Sequence, residues 1–129
     1  MLSLEETTLY FVGAFTVGII WYRLLFIVVP LYFKRPFTRS TLKLRWHHLH
    51  WGVVFLLIGN AILLRSGSIA ISSAVLLGLG LGLVIDLFIP SLLLETNREE
   101  ELIVYRKSLL STVLLAVGII VLLVIFSVI

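Results

Sequence analysis

The amino-acid sequence predicts an all-α, polytopic membrane protein, with four transmembrane helices in an antiparallel bundle. Three observations lead there. The chain is 60% hydrophobic and only 13% charged, with a mean hydropathy of +1.18, whereas soluble domains are about half apolar and a quarter charged. Its apolar residues fall into four runs, each reaching the roughly 20 residues that a helix needs to cross hydrocarbon. The charged residues collect between those runs and leave Arg23 and Asp86 inside them. Four spans and short connections use nearly all of the 129 residues, so a single transmembrane domain is expected and no soluble catalytic domain.

Ser3-Leu4-Glu5-Glu6 has the form of a capping box, so the first helix is expected to start in water and enter the apolar layer near Thr8. An acidic start of this kind is unlike a signal peptide. The first span is placed at 8–33, with Pro30 kinking it near its end. A basic connection, 34–45, leads into the second span at 46–64. Arg65-Ser66-Gly67-Ser68 is a tight turn in which Gly67 suits a left-handed C-cap and Ser68 an N-cap. The third span, 69–94, carries Gly78, Gly80 and Gly82. Gly78 and Gly82 have the spacing of small residues that lets helix backbones approach in lipid. In the connection 95–107, Thr96 or Asn97 followed by Glu99 or Glu100 again marks a helix start. The fourth span, 108–129, has no ionisable side chain and is expected to be a plain wall facing lipid or a partner.

Five basic residues (Lys34, Arg35, Arg39, Lys43, Arg45) lie between spans one and two and three (Arg98, Arg106, Lys107) between three and four, against Arg65 alone between two and three. The positive-inside rule then puts loops 34–45 and 95–107 in the cytoplasm and both termini outside the cell membrane. The net charge of +3 and pI near 9.6 sit in these short loops, where anionic lipid headgroups are the natural partner and nucleic acid is not. The absence of cysteine excludes disulfides, thiolate metal sites and cysteine nucleophiles.

Chemistry is concentrated in Arg45-Trp46-His47-His48-Leu49-His50-Trp51-Gly52 and in the two charges within spans. At about 1.5 Å per residue, Arg23 lies roughly 16 Å from the end of its span and Asp86 roughly 13 Å from the same side. The matched depth predicts a buried ion pair. Pro90, four residues after Asp86, has no amide hydrogen, which frees the Asp86 carbonyl as a further acceptor. His47 and His50 lie about 60° apart on a helix, while His48 points nearly opposite His50 and shares its face with Gly52 and Gly59. Two readings follow. In one, Trp46, Trp51 and His48 are anchors at headgroup level. In the other, His47, His50 and Asp86 hold a divalent metal such as zinc or iron. Bis-histidine haem would need a homodimer, since all three histidines share one helix. Asn60 is expected to bond across helices to Ser72 or Ser73.

His47-His48-x-x-x-Gly52 followed by Gly78-x-Gly80-x-Gly82-Leu83-x-x-Asp86 resembles a pattern of small integral membrane proteins of prokaryotes, over about the middle third of the chain. The resemblance implies a four-span bundle with a His/Asp constellation and no particular substrate. The similar proteins often have a second acid where this chain has Leu87. Three classes of function fit the sequence. The leading one is an interaction or accessory subunit of a membrane complex or homo-oligomer. The second is a proton- or cation-translocating oligomer using Arg23, Asp86 and His50. The third is a membrane-embedded metal-binding protein or lipid hydrolase using His47, His50 and Asp86.

Overall fold

The computed structural model describes residues 3–29, 48–93 and 98–128, with Phe26 and residues 98–102 as backbone only. Pro30, the stretch 34–45, Trp46, His47 and the helix start at Thr96 or Asn97 lie outside the described residues. Within them the chain is all-helical: α1 (Leu4–Val28), α2 (His48–Ser66), α3 (Ile71–Leu93), α4 (Arg98–Lys107) and α5 (Leu109–Val128). Four of these, all but α4, are long and apolar enough to cross a membrane.

The helix ends follow from local chemistry. At the start of α1 the Ser3 hydroxyl accepts from the Glu6 amide and the Glu6 carboxylate accepts from the Ser3 amide, a complete capping box. The helix ends at Val28, and residues 30–33 of the expected span lie outside the described residues. Val29 precedes a proline, which disfavours the helical conformation there, and it takes φ −125°. Gly67 adopts φ 62° and its amide bonds the Leu63 carbonyl, closing α2. The cap of α3 is not Ser68. The helix begins two residues later than expected, and Ser73 reaches back to accept from the Ala70 amide at 3.1 Å. A single turn residue, Ser108, lies between α4 and α5, and the helical bonds from the Ser108 amide to the Val104 carbonyl and from the Thr112 amide to the Ser108 carbonyl continue across it.

α3 is the centre of the bundle, packed against both α1 and α2, and α5 adds smaller contacts to α3 and α1. The alternation of glycines explains the arrangement. Residues four apart on a helix nearly share a face and residues two apart are opposed, so Gly78 and Gly82 look one way and Gly80 the other. A Cβ at Gly82 would strike the Phe15 carbonyl, and one at Gly78 the Phe11 carbonyl, both on α1. On the opposite side a Cβ at Gly80 would lie 2.7 Å from the Gly52 carbonyl oxygen, and one at Gly52 would lie 2.8 Å from that of Gly80. Backbone therefore meets backbone on two faces of α3, the geometry that small residues permit in lipid. Phe15, Ile19 and Ala116 fill the space between α1 and α5. Asn60 is not interhelical: its side-chain amide donates to the Leu56 carbonyl of its own helix, and Ser73 is engaged with Ala70.

Candidate functional site

The buried polar residues other than Ser73 meet at one end of the bundle, where α1 and α3 finish and α2 and α5 begin. Asp86 is fully buried because it sits one turn past Gly82 on the face of α3 that α1 covers. Arg23 of α1 reaches it, with Nε 2.5 Å from Asp86 Oδ1. The remaining guanidinium nitrogens are also engaged. Nη2 donates to Thr112 Oγ1 at 3.0 Å and to the Asp86 carbonyl at 3.4 Å, while Nη1 donates to the Tyr105 carbonyl at 3.1 Å. The Asp86 carbonyl is available because Pro90, buried inside α3, supplies no amide hydrogen to it. A single cation thus ties α1, α3, α4 and α5 together.

The second carboxylate oxygen serves α2 and α4. The Tyr105 hydroxyl donates to Asp86 Oδ2 at 2.6 Å, and His48 Nε2 lies 3.0 Å from the same atom. A carboxylate only accepts, so the His48 contact is a hydrogen bond when Nε2 carries the proton. The rings close over this arrangement. Tyr22 stacks on His48 with centroids 4.0 Å apart, and the Arg23 guanidinium lies 4.4 Å from the centre of the Tyr105 ring, a cation–π geometry. Burial pushes the Tyr105 phenol well above its ordinary range, and the neighbouring Asp86 carboxylate adds to the effect. Ser108 donates to the Tyr105 carbonyl at 2.9 Å. Among the described residues every buried side-chain nitrogen or oxygen has a hydrogen-bond partner.

The structure brings together Arg23 and Asp86, but it exchanges the histidines. His50, read from the sequence as a metal ligand or relay residue together with Asp86, is exposed, and His48, read as an anchor at headgroup level, lies against the carboxylate instead. The reason is geometric. Gly52 and Gly59 mark the face of α2 that packs on α3; His48 lies within about 40° of them and His50 about 160° away. Trp51 is half exposed and its ring lies 6.4 Å from that of Phe55. Among the described residues no three metal-binding side chains form a group that could hold an ion; His47 is outside them.

Sequence reasoning missed Tyr105, Ser108 and Thr112. The last was assigned to a plain wall, yet Thr112 is fully buried against Arg23. The signal was present as a spacing: Tyr105, Ser108, Thr112 and Ala116 fall on one helical stripe, hydroxyls at one end and a small residue at the other. Fold and site together define a small polytopic helical membrane protein with a closed polar cluster at one end. Compared with known proteins, the chain matches no family model, and neither a curated protein nor a solved structure gives a match.

Proposed function

We propose that the chain is a non-enzymatic structural subunit of a membrane assembly, either a homo-oligomer or a complex with other membrane polypeptides. The observation that carries this reading is the closure of its polar cluster. Both Asp86 oxygens and the Arg23 nitrogens are engaged within the chain, and Asp86 has no exposed surface. A group that binds substrate or moves an ion needs a valence or an opening to offer. On the far side of the cluster the bundle is filled by Phe15, Ile19 and Leu83, which argues against a pathway within one copy. In this reading the cluster holds the helices in register, and the positive-inside rule puts it at the cytoplasmic side, with both termini outside.

Gentle-detergent purification followed by native mass spectrometry tests the proposal. A discrete species with a defined number of copies, or with a second polypeptide in fixed proportion, supports it. A 14.5 kDa monomer carrying only lipid contradicts it. One observation favours a second reading. His48, Asp86 and Tyr105 form a hydrogen-bonded row of ionisable groups, so a proton-translocating oligomer would use His48 and not His50. Proton flux into liposomes that disappears in His48→Gln would favour that reading over the subunit.

A further inference from the structure

The four long helices are not held alike. α1 and α2 each reach backbone contact with α3 through glycines. α5 has no such approach: a Cβ at Gly118 would meet nothing within 4 Å. Its buried side chains are Thr112 and Ala116, and Ile119 and Ile120 pack on the apolar cluster. In lipid this matters, because apolar side chains gain little by leaving acyl chains for protein, so close packing and polar ties decide which helices stay together. The polar tie of α5 is Arg23, and its placement is specific. One arm of the guanidinium holds the Tyr105 carbonyl and another holds Thr112 Oγ1, so Arg23 grips the chain on both sides of the turn at Ser108 where α4 becomes α5. Asp86 fixes the orientation of that guanidinium through Nε.

We propose that α4 and α5 form a latched arm: Arg23 is the latch, and α5 is the first long helix to leave the bundle when the latch is released. Departure of α5 uncovers the Phe15 and Ile19 face of α1 while the glycine-packed trio α1–α3–α2 stays assembled. This inference does not depend on the subunit reading.

The sequence contains no cysteine, so pairs of spin labels on introduced cysteines report helix separations in the full chain in lipid nanodiscs. Trp21→Cys with Leu114→Cys spans α1 to α5, and Leu24→Cys with Leu92→Cys spans α1 to α3; all four positions are exposed. The latch is weakened in two ways. Ser108→Ala with Thr112→Val removes the hydroxyls beside the Arg23 grip and leaves the ion pair in place. Arg23→Leu with Asp86→Leu removes the grip without stranding a buried charge. In both backgrounds the α1–α5 distance distribution is expected to gain a longer population while the α1–α3 distribution keeps its position and width. A single unchanged α1–α5 distance in the Arg23→Leu/Asp86→Leu background overturns the proposal, because apolar packing would then suffice. Equal spreading of both pairs overturns it as well, since the cluster would then hold the bundle as a whole.

Discussion

α3 meets α1 and α2 through backbone and meets α5 through side chains. At Gly78, Gly80 and Gly82 the neighbouring carbonyls stand where a Cβ would be, so the interface tolerates almost no added volume and needs no charge. One turn further along the same helix Asp86 is buried with Arg23, His48 and Tyr105 around it, an interface that tolerates no unpaired partner. One region is specified by shape and the other by polar satisfaction, and substitutions should damage them in different ways.

The largest effect is expected from stranding one charge. Asp86→Ala leaves the Arg23 guanidinium buried without its carboxylate and should cost about 3 to 5 kcal/mol in denaturing-detergent titrations of the reconstituted protein. Next comes the shape-specified region. Gly82→Val puts a Cβ where the Phe15 carbonyl stands and should cost about 1 to 3 kcal/mol. The same change at Gly118, which faces open space, should stay within about 0.5 kcal/mol. If the two glycine variants behave alike, close backbone approach is not what holds α1 on α3. Thr112→Val removes one of several acceptors of Arg23 and should cost about 1 kcal/mol.

The smallest effect is spectroscopic. Burial and Asp86 hold the Tyr105 phenol above its ordinary value, so the native protein binds that proton more tightly than the unfolded chain does. The stabilisation this gives is fully present below the ordinary tyrosine pKa of about 10 and is lost only as pH rises through the higher native value. The chain has four tyrosines. The phenolate absorbance of wild type near pH 10 should match that of Tyr105→Phe, and a larger signal from wild type would place Tyr105 in contact with water.

The fold was legible because hydrocarbon imposes a simple requirement on composition and run length, and because Ser3 to Glu6 and Gly67 follow local rules that lipid does not alter. The pairing of Arg23 with Asp86 could be proposed from depth alone, since unpaired charge in hydrocarbon is costly. The sequence puts His48 on the Gly52 and Gly59 face, where the structure has it, but sets His50 and not His48 beside Asp86. Gly52 and Gly59, as small residues, mark the packed face of α2, and following that face to its start leads to His48. Tyr105 and Thr112 stayed hidden because hydroxyl groups signal nothing until a donor such as Arg23 is placed beside them, and that placement belongs to the tertiary structure.

The central claim is that Arg23 and Asp86 are one structural unit within a closed cluster. A double-mutant cycle with Arg23→Leu and Asp86→Leu, read as unfolding free energy in lipid nanodiscs or mixed micelles, tests it most directly. Each single change should cost about 3 to 5 kcal/mol and the pair far less than their sum, because no charge is left unpaired in the double variant. A double variant as unstable as the two single variants added together would mean that the two residues act independently, and the account of the cluster would be wrong.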